Sequence, residues 1–91
     1  MMWAHNEEDL EVTVATKAGD TKSFYQNIEE IAKRVGGLYL GHSELRMSED
    51  EPPFAHEISF AFLTPLDRVM FVGAVRKQYP NKEEVTIHGV A

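Results

Sequence analysis

Two histidines of the chain could do chemistry together if the fold brings them close. His42 and His56 flank a loop that contains two prolines, and Glu44 follows His42 by two residues. A hairpin centred near residue 49 would place His42 opposite His56, and two imidazoles with a carboxylate can bind zinc or another divalent ion. However, neither a His-x-x-x-His nor a His-Glu-x-x-His spacing occurs. We therefore predict a structural histidine pair and no metal site or cofactor.

Residues that could serve nucleophilic or acid–base catalysis occur singly. Serine, histidine and aspartate are all present, but the chain has no nucleophile elbow of the Gly-x-Ser-x-Gly type. The pair Gly36-Gly37 follows a predicted helix, whereas a phosphate-binding loop would precede one. Tyr25 and His88 could transfer protons in a pocket between helices and sheet. Because no catalytic constellation is evident, the sequence predicts a protein that is not an enzyme.

Length, composition and charge limit the class of protein. The 91 residues include 15 acidic and 9 basic side chains, for a formal net charge of −6, and no cysteine. This length favours one domain, and the apolar fraction of 43% favours a folded chain. Without cysteine, disulfides and zinc–thiolate sites are excluded. No apolar run of transmembrane length and no basic leader occur. These features predict a cytoplasmic protein without a membrane partner.

The elements that would position these residues follow from hydrophobic periodicity. Residues 9–16 alternate apolar and polar side chains, as do residues 38–46 and 55–64, which predicts three strands. A fourth strand is predicted over residues 83–90. Between the first two strands, Phe24, Ile28, Ile31 and Val35 form the single apolar stripe of a helix that ends at Gly36-Gly37.

A second helix begins at Thr64-Pro65, where threonine can cap and proline can occupy the first helical position, and it reaches about Tyr79. The resulting order is strand, helix, strand, strand, helix, strand. This order resembles the ferredoxin-like plan, an α+β sandwich in which a four-stranded antiparallel sheet carries both helices on one face. We predict a disordered segment over residues 1–8 and a single domain of this kind over residues 9–91.

The sheet face opposite the helices would remain open. Its predicted surface is small and mildly apolar and could pair with a second copy through five residues: Ala15, Tyr39, Leu45, Ala61 and Leu63. A solvated face with scattered apolar side chains is the alternative. One aromatic side chain and no basic rim are predicted for this face, which argues against direct binding of nucleic acid.

The second predicted helix carries more apolar residues than one buried stripe requires. Val69, Val72 and Val75 lie on one stripe, whereas Met70 lies on another and Phe71 at the margin. The surplus predicts that Met70 and Phe71 contact a partner chain. Alternatively, the first helix covers them.

Carboxylates are concentrated at one end of the predicted sheet. The seven residues are Glu44, Glu49, Asp50, Glu51, Glu57, Glu83 and Glu84. Arg46 and Lys82 offset their charge only in part. Together with Met70 and Phe71, these acids are the predicted partner-binding residues, since complementary charge speeds association with a basic surface. The alternative is that charged loops only keep a small protein in solution.

These patterns together predict a small acidic regulatory module that binds a protein partner, for example as an inhibitor that docks on a basic surface of a larger protein. Homodimerisation is a second expectation. Two other functions stay open: a dimeric small-molecule sensor similar to ACT domains, and a small dimeric enzyme of the α/β-barrel type. A sensor would respond to specific metabolites, and an enzyme would need a pocket with converging polar groups.

Overall fold

In the part of the chain that the structure describes, residues 10–17 and 21–89, one antiparallel sheet carries two helices on one of its faces. The structure is a computed structural model. The elements are β1 (Glu11–Lys17), α1 (Thr21–Val35), β2 (Leu38–Leu45), β3 (Ala55–Ala61), α2 (Pro65–Gln78) and β4 (Val85–His88). The strand order across the sheet is β2-β3-β1-β4. This arrangement confirms the predicted ferredoxin-like α+β fold.

The core lies between the two helices and the covered face of the sheet. Val12 and Val14 on β1 and Ile58 and Phe60 on β3 are buried there, because alternate strand residues point to the same side. Helix α1 contributes the predicted stripe, of which Phe24, Ile28 and Ile31 are buried. The chain leaves α1 through Gly36 at a φ of +79°, a left-handed conformation that suits glycine, and the N–H of Gly37 donates to the carbonyl of Ala32 at 2.8 Å.

Helix α2 begins as predicted. The hydroxyl of Thr64 accepts a hydrogen bond from the backbone N–H of Asp67 at 3.1 Å, and Pro65 follows the cap. At the other end, Arg76 donates to the carbonyl of Val85 at 2.8 Å. This bond ties the end of the helix to β4.

The buried side of α2 differs from the predicted one. Phe71 and Val75 are 0% exposed, whereas Val69 and Met70 are 59% and 54% exposed. The ring of Phe71 packs against the rings of Phe60 and Phe62, and the packing of this large ring sets the rotation of the helix. The prediction that Phe71 contacts a partner is therefore wrong, since the residue belongs to the core. Met70 is free to be covered by another chain.

Strand β2 also differs from its prediction, because it contains a β-bulge between Tyr39 and Gly41. Because of the extra residue, the side chains before the bulge point to the opposite side of the sheet from the one that regular alternation would give them. Tyr39 pairs with Phe60, and their rings lie 6.0 Å apart on the covered side. The prediction that Tyr39 lies on the open face is wrong. Leu38 and Leu40, which strict alternation would place beneath the helices, are exposed instead. Gly41, at a φ of +147°, allows the bulge.

The strand boundaries shift by a few residues from the predicted ones. The third strand ends at Ala61 and not at residue 64, because the chain turns toward the capping residue of α2. The fourth strand occupies Val85–His88, the centre of the predicted range 83–90. Asp9, Val90 and the segment predicted to be disordered, residues 1–8, lie outside the described residues.

Candidate functional site

Strand pairing brings the acidic residues to one end of the sheet. His56 on β3 lies opposite Glu44 on β2 and opposite Thr16 on β1, and Thr16 in turn lies opposite Val85 on β4. The β2–β3 loop and the turn that precedes β4 therefore emerge at the same edge. The hydroxyl of Thr16 donates to the carbonyl of Glu84 at 3.3 Å. We define the acidic end as the set Glu44, Glu49, Asp50, Glu51, Glu57, Glu83 and Glu84.

Arg46 organises the tip of the acidic end. Its guanidinium donates to the Glu44 carboxylate at 2.6 Å and to the backbone carbonyl of Glu51 at 2.8 Å. Lys17 and Lys82 also lie at this edge. Arg76 at the end of α2 also reaches this edge through its hydrogen bond to the carbonyl of Val85. Seven carboxylates therefore outnumber four basic side chains there. The charge is carried by exposed side chains, with Glu57 half-buried on the open side.

The pKa of Glu44 is lowered from its usual value near 4.5. The hydrogen bond from Arg46 is the main cause, and the charges of Arg46, His56 and His42 act in the same direction. Folding therefore favours the ionised form of this carboxyl. The stabilisation is present above the ordinary pKa and is lost as the pH falls through the lowered value.

Replacement of Arg46 by alanine should return the pKa of Glu44 toward its ordinary value, because the main interaction with the carboxylate is removed. The side-chain carboxyl shift of Glu44, followed by NMR from neutral to acidic pH, measures this directly. Arg34→Ala is a matched control, since it removes an exposed arginine that pairs with Glu30 on α1. A Glu44 titration that is the same in Arg46→Ala and in the unmodified protein would contradict the assignment.

A cluster of histidine and tyrosine side chains occupies the covered side next to the acidic end. The hydroxyl of Tyr39 lies 2.5 Å from Nδ1 of His42, and the ring of Tyr25 lies 5.1 Å from that of His42. The ring centre of Tyr25 lies 6.3 Å from that of His56 in an edge-on arrangement, and His56 is 7% exposed. Burial raises the pKa of the Tyr25 hydroxyl, which lacks a hydrogen-bond partner.

The two histidines lie on the same side of the sheet, as predicted, but they are not opposite each other. His42 pairs with Ile58, and Glu44 occupies the place across from His56. The hairpin is centred on residue 50, one residue later than predicted, since Leu45 pairs with Ala55. The N–H of Phe54 donates to the carbonyl of Leu45 where the loop begins. Among the described residues, no group of three or more histidine, aspartate or glutamate side chains is placed to hold a metal ion.

Tyr25 and His88, the pair suggested for proton transfer, lie on opposite sides of the sheet. Tyr25 projects from α1 toward the histidines of the covered side. His88 pairs with Thr13 and lines a depression of the open side together with Lys17 and Glu57. The prediction that they share a pocket between helices and sheet is wrong.

The open face is the sheet surface opposite the helices. A depression of about 570 Å³ lies at its end remote from the acidic residues and is lined mainly by apolar side chains: Leu10, Leu38, Leu40, Ala61 and Leu63. Leu38 is 66% exposed and Leu63 is 87% exposed. Ala15, Leu45 and Ala61 of the predicted dimer face lie on this side of the sheet, although Ala15 is only 9% exposed, and Leu63 lies beside it. The sequence alone did not place Leu38 and Leu40 beside the open face. Gly41 was the available signal, since a glycine inside a strand often marks a bulge.

The comparisons with known proteins support the fold. No protein-family model matches the chain, and no curated protein sequence matches it. Among solved structures, the chain is similar to a protein of Thermus thermophilus provisionally described as a PII-like signaling protein. The similarity has a TM-score of 0.62 at 14% sequence identity and covers 86% of this chain and 78% of the other. At this identity the likeness shows a shared fold. None of the described helices is long and apolar enough to cross a membrane.

Proposed function

We propose that this chain is a small regulatory module that acts by binding another protein and not by catalysis. Its acidic end docks on a basic surface of that partner, and occupation of the surface would inhibit whatever the partner binds there. The fold is shared with a protein described as a PII-like signaling protein, which is consistent with a regulatory role.

The observation that carries the proposal is the convergence of carboxylates from separate parts of the chain. The β2–β3 loop provides Glu49, Asp50 and Glu51, and the turn before β4 provides Glu83 and Glu84. Arg46 holds the base of the loop through the carbonyl of Glu51 and the Glu44 carboxylate, so the charge is presented on an organised tip. The excess of negative charge at this end would steer a basic partner toward it.

The matched pair of variants Glu49→Gln/Glu51→Gln and Glu29→Gln/Glu30→Gln tests this docking. Each removes two exposed carboxylates, the first at the tip and the second on α1. The unmodified chain and both variants would be used to capture proteins from the native host, and association rates would then be measured with the captured protein. We expect the tip variant to associate about tenfold more slowly at low salt, since mutation of rim charges acts mainly on the association rate. Added salt should remove the difference.

Equal association rates for the two variants would contradict docking through the acidic end. A captured protein that binds as well at high salt as at low salt would contradict a basic partner surface, because exposed charges are screened by salt. Circular dichroism of both variants provides the folding control.

A further inference from the structure

The open face ends in two outer rows that share one residue pattern but carry opposite charges. The row remote from the acidic end consists of Leu38, Ala61 and Glu11 on β2, β3 and β1. The row at the acidic end consists of Leu45, Ala55 and Lys17 on the same three strands. Each row is therefore a leucine, an alanine and one charged residue. Glu11 and Lys17 are both exposed, and Glu57 and Glu83 line the same depression as Lys17.

We propose that the open face binds a second copy of the chain, with the two sheets face to face and their strands antiparallel. A twofold axis across the strands, at the level of Val14 and Ile58, exchanges the two outer rows. Glu11 then meets the partner's Lys17, and Lys17 meets the partner's Glu11, since both lie three residues from Val14 on β1. Packed antiparallel sheets commonly align their strands within about 30°, which keeps these pairs within reach.

The same axis also pairs residues of β2 and β3 with those of the second copy. Leu38 lies over the partner's Leu45, and Ala61 lies over the partner's Ala55, so apolar rows cover each other. In the middle, Ser59 lies beneath the partner's Glu57. The Ser59 hydroxyl is 2.8 Å from that of Thr13, and this pair can donate a hydrogen bond to the carboxylate that arrives from the second copy.

A twofold axis parallel to the strands is the competing arrangement, and the charges disfavour it. If that axis runs between β3 and β1, it places Glu11 over the partner's Ala61 and Lys17 over the partner's Ala55, with no ion pair. It would also bring the two acidic ends side by side, each with an excess of carboxylates. The antiparallel arrangement places the acidic ends at opposite ends of the dimer. The two acidic ends therefore stay apart, and their loop and turn carboxylates, unlike Glu57, remain free for another partner.

The size of the face indicates a reversible dimer. Four strands spaced about 4.8 Å apart and six residues of about 3.4 Å each give a flat area of about 400 Å². Standard protein interfaces bury about 800 Å² on each partner. This contact therefore belongs to the small class, even though side chains add some accessible surface to the flat area. Small interfaces that contain exposed ion pairs are sensitive to salt.

Two charge-reversal variants test the arrangement. In Glu11→Lys alone, or in Lys17→Glu alone, like charges face each other across the dimer, and we expect the dissociation constant to rise at least about tenfold. In an equimolar mixture of the two variants, opposite charges face each other again, and a heterodimer should form. The measurement is the solution mass by light scattering at low salt over a concentration series. Glu29→Lys and Lys77→Glu, exposed residues of α1 and α2, are the matched controls.

A dimer of the unmodified chain that is lost in each single variant and restored in the mixture supports the proposal. A monomeric unmodified chain, or a dimer unaffected by either reversal, would overturn it. Circular dichroism of each variant distinguishes loss of the dimer from loss of the fold. The outcome is separable from docking through the acidic end, because Glu49→Gln/Glu51→Gln should leave the solution mass unchanged.

Discussion

Truncation of Phe71 to alanine should lower the free energy of unfolding by about 3–5 kcal/mol. The side chain is 0% exposed, and its ring lies 4.9 Å from that of Phe62 and 5.6 Å from that of Phe60. The substitution removes both aromatic contacts and leaves a cavity between α2 and the sheet. For a chain of this length, the melting temperature should fall by more than about 10 °C.

Met70→Ala is the control for this effect, since the adjacent residue on the same helix is 54% exposed. We expect a change of less than about 0.5 kcal/mol, which is typical of surface substitutions. Chemical unfolding followed by circular dichroism measures both variants. If Met70→Ala destabilised the chain as much as Phe71→Ala, the rotation of α2 would be wrong.

Replacement of Gly37 by alanine should destabilise the chain by about 1–3 kcal/mol through overpacking. A Cβ at this position would lie 2.7 Å from Cε1 of Phe62 and 3.2 Å from Cβ of Ala32. The Phe62 ring has little room to move, because it is 4% exposed and packs on Phe71. Thermal and chemical unfolding measure the loss.

Gly73→Ala, on the exposed side of α2, should have the opposite sign. A Cβ there meets nothing within 4 Å, and alanine is favoured over glycine inside a helix by about 0.5–1 kcal/mol.

The variant pair Gly37→Ala and Gly37→Ala/Phe62→Leu tests the steric cause, since the smaller side chain should relieve part of the cost. A Gly37→Ala protein as stable as the original would show that the packing around Phe62 is looser than described.

Much of the fold followed from local patterns. The apolar stripe of α1, with Ile28 and Ile31 at its centre, needs one side of a helix to be buried. Thr64 and Pro65 define the start of α2, because a capping threonine and a proline at the first helical position act locally and need no contact with distant residues. Short connections then leave few ways to arrange strands and helices, and the ferredoxin-like order was predicted for this reason.

Part of the candidate site was predictable and part was not. The acidic residues could be placed at one end, because antiparallel pairing sends the β2–β3 loop and the turn before β4 to the same edge. The partners of individual side chains could not be placed, since a shift of the hairpin centre changes each cross-strand pair. His56 thus lies opposite Glu44 and not opposite His42.

The sequence by itself determined the order and type of the elements, the covered face of β1 and the acidic character of one end, because periodicity, capping and charge act locally. The tertiary structure decided which way Tyr39 and Phe71 point. A single bulge reverses the face of one part of β2, and the fit of one large ring rotates α2. Both depend on packing between residues far apart in the chain, and that packing is absent from any local pattern.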